Sequence, residues 1–239
     1  MSQQPTNPSW FYEADGGLKY PVRPGDVWKA CPHTIACLDT TSPMLDKYWS
    51  MLPSSPKMLY SDPPWGAANL GAFYTKAGYP KDTGRKSYDA VLAGVLRTPA
   101  RFKLSGWLEM GDKWVDQMTR AVIASGGRVI GTQPITYYRK FPHTIVAVTW
   151  GPDFVPANVA GMDDDHTPNA TMRAHLDAGL LRPGDAVYDT CIGRGLIPVS
   201  ADKLGLVCYG TELSPWRMSV TLRKLADRGH SPSKVGSLA

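Results

Sequence analysis

Long hydrophobic runs are missing from this 239-residue chain. No stretch of about 18 apolar residues occurs, which leaves no membrane-spanning helix to propose. The N-terminus, Ser2-Gln3-Gln4-Pro5-Thr6-Asn7, lacks the cationic-then-apolar order of a secretory signal, so a soluble, cytoplasmic protein without a membrane partner is expected. Cysteine is scarce: Cys31, Cys37, Cys191 and Cys208 include no C-x-x-C pair, which excludes a disulfide-built scaffold and the usual zinc spacings. Cys191 and Cys208 read as small buried hydrophobes in or beside strands. Cys31, His33 and Cys37 are metal-type ligands without a fourth at a recognisable spacing, so no metal is expected. Glutamate is rarer still, with Glu13, Glu109 and Glu212 the only three among 21 acidic residues. Internal repeats and low-complexity tracts are absent.

What is present is cationic, with a net charge of +5. Between Lys76 and Lys103, seven cations (Lys76, Lys81, Arg85, Lys86, Arg97, Arg101, Lys103) stand against Asp82 and Asp89, so this stretch alone equals the excess of the chain. It also carries Phe73, Tyr74, Tyr79 and Tyr88 in and around it. Aromatics interleaved with cations grip single strands or extruded bases, which makes residues 66–103 the expected substrate-contacting segment, with Lys76, Arg85, Lys86 and Tyr74 as candidate contacts.

The periodicities predict an α/β fold. Residues 1–20 read as an N-terminal arm and 21–239 as one domain. Thr34–Leu38 is a predicted strand ending at Asp39, and Thr41–Leu52 a helix with Pro43 in its first turn. Residues 66–84 read as a long glycine-rich loop, 86–96 as a helix and 102–110 as a strand. A helix over 111–124, strands over 128–135 and 144–150, and a linker over 151–168 follow. Asp163-Asp164-Asp165 within that linker reads as a solvated turn. A helix over 171–181 leads into the last part of the chain.

Two motifs carry chemistry. Met58-Leu59-Tyr60 is an apolar strand that runs into Asp62-Pro63-Pro64-Trp65. Independent placement would produce that tetrapeptide roughly 0.01 times in a chain of this composition. An exocyclic amine of adenine or cytosine is a poor nucleophile, because its lone pair is delocalised into the ring. If the Asp62 carboxylate and the Pro63 carbonyl both accept hydrogen bonds from it, the nitrogen pyramidalises and the charge that builds there meets preoriented acceptors. Proline fixes φ and offers no competing N–H. Trp65 is a stacking surface for the base.

The second motif is Asp185-Ala186-Val187-Tyr188-Asp189-Thr190-Cys191-Ile192-Gly193-Arg194-Gly195, read as a strand and a glycine turn, followed by a helix from Leu196 towards Leu204. A further strand, Leu206–Gly210, ends at Glu212, which is 23 residues beyond Asp189. That spacing is one βαβ half of a doubly wound sheet, with an acid placed for ribose hydroxyls.

Together, Asp-Pro-Pro-aromatic and a downstream Asp-x-x-x-Gly-x-Gly resemble the S-adenosylmethionine-dependent amino-methyltransferases that modify adenine N6 or cytosine N4. The catalytic motif precedes the cofactor motif, as in the permuted branch of that family, and the resemblance spans roughly residues 22–229. It implies a doubly wound, mostly parallel Rossmann-like methyltransferase sheet, circularly permuted. Asp62, Pro63, Pro64 and Trp65 would be catalytic, and Asp39, Asp189, Thr190, Cys191, Gly193, Gly195 and Glu212 would hold S-adenosylmethionine. Thr190, Cys191 and Leu196 stand where the family usually has Pro, an aromatic and Thr. His166-Thr167-Pro168 lacks the lysine of the family's His…Lys-Pro stretch. The implied activity is DNA adenine-N6 methylation. The alternatives are cytosine N4, RNA adenosine, or a non-catalytic nucleic-acid-binding partner subunit. Trp65 in the fourth place favours adenine. DNA is the expected partner ahead of RNA, and a homodimer or partner subunit is possible.

Overall fold

Strands buried on both faces of a sheet need apolar residues at every position rather than at alternate ones. Met58-Leu59-Tyr60 and Ala186-Val187-Tyr188 satisfy this, and both strands are buried throughout, through Ser61 and Asp189. The structure, a computed structural model, describes residues 19–79, 88–137 and 140–238. Its strands are β1 (Asp26–Ala30), β2 (His33–Cys37), β3 (Met58–Ser61), β4 (Ser105–Met110), β5 (Arg128–Tyr137), β6 (Phe141–Thr149), β7 (Ala186–Asp189), β8 (Val207–Glu212) and β9 (Ser233–Ser237). They form one sheet in the order β5-β6-β4-β3-β7-β8-β2-β1-β9. The inner five, β4, β3, β7, β8 and β2, run parallel. The flanks β6, β5, β1 and β9 are antiparallel to their inner neighbours.

Helices cover both faces, giving the expected doubly wound, mostly parallel α/β architecture. They are α1 (Leu45–Ser50), α2 (Gly66–Lys76), α3 (Tyr88–Phe102), α4 (Val115–Ala124), α5 (Thr167–Asp177), α6 (Leu196–Lys203) and α7 (Pro215–Ala226). Successive strand residues point to opposite faces. Leu59, Tyr188 and Tyr209 therefore cluster with Tyr48 of α1, Val95 of α3 and Met118 of α4. Met58, Tyr60, Val187 and Cys208 cluster with Met172 of α5 and Ile197 of α6. A third cluster joins Ile35 and Cys37 of β2 to Met218, Leu222 and Leu225 of α7. Tyr48 reaches between strands: its hydroxyl donates to the Thr34 carbonyl at 2.7 Å and accepts from the Gly210 amide at 3.0 Å. Among the described residues no helix is long and apolar enough to cross a membrane.

Four sequence expectations change. Residues 66–76 are helical rather than part of a loop. Glycine content misled there, because Leu70, Phe73, Tyr74 and Ala77 follow helical spacing and only Gly66 of the helix has a positive φ, of 82°. A Cβ on Gly66 would lie 2.3 Å from the Trp114 ring, so close approach as well as φ requires glycine. The helix expected to end at Leu96 continues to Phe102 through Pro99, and Lys103 then takes a left-handed φ of 54°. The solvated turn at 163–165 is partly wrong: Asp164 is buried, and Asp163 pairs with Thr136 of β5 in an isolated bridge. Finally, β1 and β9 were not expected as strands. The polar sequence Ser-Lys-Val-Gly-Ser of β9 pairs with β1, where Lys234 Nζ lies 2.5 Å from the buried Asp26 carboxylate. Up to Leu18 the expected arm lies outside the described residues, and Tyr20 packs edge-on against Trp28 at 5.8 Å.

Candidate active site

The carboxyl ends of β2, β3, β4, β7 and β8 open on one cavity of about 570 Å³, between the two strands from which the chain winds in opposite directions. Ligands of open α/β sheets bind at that switch point. Asp62, Asp189, Glu212 and Asp39 each follow or end one of these strands, and all four line the cavity.

The glycine turn forms one half. Gly195 caps α6 with φ 83°, and a Cβ there would lie 2.7 Å from the Thr221 hydroxyl, so residues 193–195 stay close to α7. Glu212 sets the turn as well as lining the cavity. Its two oxygens accept the Gly193 and Ser214 amides, each at 2.7 Å. Burial pushes the Glu212 carboxyl up, and Arg217 and those amides oppose the rise. Asp189 Oδ1 accepts the Cys191 amide at 2.9 Å, while its buried Oδ2 has no partner among the described residues. Burial raises this carboxyl to about 7, against the pull of the Cys191 amide. Thr190 is buried, and its hydroxyl lies 2.7 Å from the Ser61 hydroxyl, which ties β7 to β3. Cys191 is half-buried at the cavity wall, its thiol pushed well up by burial.

Asp39 is fully engaged. Its Oδ1 accepts the amide and hydroxyl of Thr41 at 2.8 and 2.9 Å, and its Oδ2 accepts the Tyr74 hydroxyl at 2.6 Å. Tyr74 is thus a buried side chain that ties α2 to the end of β2. Beside it, Arg217 of α7 sits over the Phe73 ring at 4.3 Å. α2 is therefore held across the cavity at two points.

The Asp-Pro-Pro-Trp turn forms the other half. Asp62 is exposed to the cavity, and Trp65 Nε1 donates to its Oδ1 at 3.0 Å. Burial pushes the Asp62 carboxyl well up; next come the charges of Glu109, Asp189 and Asp164, while the Trp65 N–H opposes them. The Pro64 carbonyl accepts from Tyr88 at 3.2 Å. Among the described residues the buried Pro63 carbonyl accepts no hydrogen bond. The Trp65 ring meets His143 and Tyr137 edge-on, with centroids 4.5 and 5.5 Å apart.

Sequence reasoning gave no role to Glu109 or His143. Glu109 is buried, lines the cavity and accepts a hydrogen bond from Tyr60. The available signal was one of three glutamates ending the strand that follows the Asp62 strand. Arg194, Arg217 and Lys224 also line the cavity, a cationic wall supplied by the glycine turn and α7. Of the expected substrate contacts, Lys76 is exposed in the last turn of α2, and Arg85 and Lys86 lie outside the described residues. Arg97 and Arg101 of the basic stretch stack on Trp49 at 5.5 and 5.3 Å and do not line the cavity.

The Cys31–His33–Cys37 grouping does not assemble. His33 instead meets Asp202 and His230, with ligand atoms within 4.8 Å of one another. His33 Nδ1 accepts the Cys208 amide at 3.0 Å, so its proton sits on the Nε2 that faces Asp202 at 3.4 Å. Arg228 supplies a cationic partner to Asp202. A protonated donor nitrogen and a guanidinium make this a hydrogen-bonded lock rather than a metal site.

No protein-family profile and no curated protein sequence matches the chain. Solved structures do. M1.HpyAVI in its SAM complex superposes with a TM-score of 0.57 at 12% identity, covering 81% of this chain and 98% of that one. TTHA0409 of Thermus thermophilus, described as a candidate DNA modification methylase and complexed with S-adenosyl-L-methionine, gives 0.53 at 14%, covering 82% and 93%. This chain has the methyltransferase fold. At such identities the likeness concerns the path of the chain, and the chemistry of the methyltransferase fold here has to be argued from Asp62, Asp189 and Glu212.

Proposed function

We propose that this protein is an S-adenosylmethionine-dependent methyltransferase acting on the exocyclic amine of a base in DNA, adenine N6 before cytosine N4. The observation that carries the reading is that the free Pro63 carbonyl and the Asp62 carboxylate share one cavity with the Gly193–Gly195 turn, Asp189 and Glu212. An acceptor set for an amine and a nucleotide-type site therefore share one cavity. The catalytic strand β3 precedes the cofactor strands β7 and β8 in the chain yet lies beside them, which supports the permuted order. The similar structures described with S-adenosylmethionine and with DNA modification support cofactor and substrate class.

These acceptors suit the cofactor. The unpartnered Asp189 Oδ2 is a buried acceptor that suits an ammonium group. Glu212, with both oxygens already on backbone amides, retains lone pairs for hydroxyl donors. When bound, S-adenosylmethionine supplies an electrophilic methyl group. The protein's part is to hold the amine. Asp62 and the Pro63 carbonyl accept its two N–H groups, which turns the nitrogen lone pair out of conjugation. Trp65, fixed by Asp62 and His143, gives the base a surface to stack on. A paired base must leave the duplex to reach this depth.

The test is incubation of the protein and labelled S-adenosylmethionine with DNA and with RNA, followed by nucleoside mass spectrometry. Label in N6-methyladenine from DNA is the expected result. Label in N4-methylcytosine or in RNA corrects the substrate, and no transfer despite cofactor binding favours a partner subunit.

A further inference from the structure

Glu109 is the buried ionisable group beside the cavity that the chemistry above leaves unused. In the parallel pairing of β3 and β4, Ser61 stands opposite Leu108, so Asp62 and Glu109 are the next residues along two adjacent strands. Both line the cavity. Glu109 Oε1 accepts from the Tyr60 hydroxyl and lies 3.3 Å from the Thr167 hydroxyl; Oε2 lies 3.3 Å from His143 Nε2. Thr167 shares its one proton with the Asp164 carbonyl at 3.0 Å. His143 is fully buried and its Nδ1 has no partner among the described residues, so the Nε2–H tautomer that donates to Glu109 satisfies more of the ring. Donors occupy both oxygens of Glu109, which leaves it poorly placed to bind the base itself.

We propose that Glu109 is a positioning residue of the transfer site, a carboxylate fixed by Tyr60, His143 and Thr167 that makes Asp62 the proton acceptor for the methylated amine. The inference rests on the amine-methylation reading. A nitrogen that has gained a methyl group carries a positive charge and one proton too many. An N–H bond breaks, its electron pair returns to nitrogen, and the proton passes to an Asp62 oxygen. An isolated aspartate in water is a weak acceptor at neutral pH. Beside a second fixed carboxylate, accepting the proton relieves repulsion between the two. The groups facing Asp62 are Glu109 from β4, Asp189 from β7, Asp164 from the segment before α5 and the Trp65 N–H, and the Glu109 charge is the largest of the three carboxylate contributions.

The experiment compares single-turnover methyl transfer across pH in wild type, Glu109→Gln and Glu109→Asp, with cofactor affinity measured by calorimetry. Glu109→Gln removes the neighbouring negative charge, so Asp62 ionises more readily and the acidic limb of the profile moves down by about one pH unit. The rate at neutral pH falls, cofactor affinity is unchanged, and Glu109→Asp keeps the wild-type limb. Independently of turnover, ¹³C-carboxyl NMR titration, with Asp62→Asn to assign the resonance, shows the Asp62 midpoint moving the same way. If Glu109→Gln does not fold, Glu109→Met removes the same charge at similar volume, and the Asp62 midpoint must again fall. A midpoint that stays in place or rises overturns the inference. An inactive wild type whose Asp62 midpoint nevertheless moves would overturn the methylation reading and leave the electrostatic pairing standing.

Discussion

Asp62 and Trp65 hold each other, and that contact separates two ways of losing activity. Asp62→Ala removes the charge and frees the Trp65 indole, whereas Asp62→Asn keeps an oxygen for the indole and removes only the charge. Both are expected to lower methyl transfer at least about a hundredfold with cofactor affinity nearly intact, since the partner is the substrate amine. Near-normal transfer by the Asn variant, measured with labelled cofactor, would remove Asp62 from the chemistry. Asp189 gives a second residue-scale prediction. Burial raises its carboxyl to about 7, so part of it holds a proton near neutral pH. A cationic ligand group beside Oδ2 favours the ionised form, so cofactor binding at pH 7 releases protons. Binding enthalpies in buffers of different ionisation heat should differ accordingly, and Asp189→Asn should abolish the difference. At this scale the sequence was informative, because Asp62, Asp189, Gly193, Gly195 and Glu212 form short local patterns. The partners of Asp39 and Glu109 were illegible: Tyr74 lies 35 residues from Asp39 and Tyr60 lies 49 from Glu109, and only the sheet order brings them together.

Among the elements, the lock of His33, Asp202, Arg228 and His230 joins the start of β2 to the last turn of α6 and the chain beyond α7. Burial lowers the His33 imidazole to about 4, only partly offset by Asp202. Below its unfolded value of 6.5 the unfolded chain takes up a proton that the folded chain refuses, so stability falls from pH 6.5 towards 4. The His33 share is about 3 kcal/mol at most. Asp202 acts in another window. Burial alone would raise its carboxyl, but the donors from Arg228 and His230 hold it below the usual value, so its stabilisation is lost only as pH falls further. Urea unfolding at pH 7 and pH 5 should show a smaller loss in His33→Asn than in wild type; equal losses would assign the acid sensitivity elsewhere. The β3–Asp62 and β7–glycine units were legible because an apolar run and its turn are contiguous. β9 was not, because its polar residues acquire strand geometry only from β1. Neither was α2, where apolar spacing outweighed the glycines.

Across the whole molecule, charge is arranged in two places with different work. Arg194, Arg217 and Lys224 line the cavity, and Arg194 and Arg217 are further held over Trp216 and Phe73. Arg97 and Arg101 are committed to Trp49. Of the basic stretch that equals the excess charge of the chain, Lys76 is exposed, and Arg85 and Lys86 lie outside the described residues. If these are the residues that meet phosphates, Arg85→Ala with Lys86→Ala should weaken duplex binding on every sequence and flatten the dependence of log affinity on log salt by about one to two units. Cofactor affinity should stay unchanged, because none of its proposed contacts is altered. Fluorescence anisotropy across a salt series reads the slope directly. A double variant with wild-type affinity and slope would move the phosphate contacts to the cationic wall of α7. Arg223→Ala would then become the informative change, since Arg223 adds charge to that helix without lining the cavity.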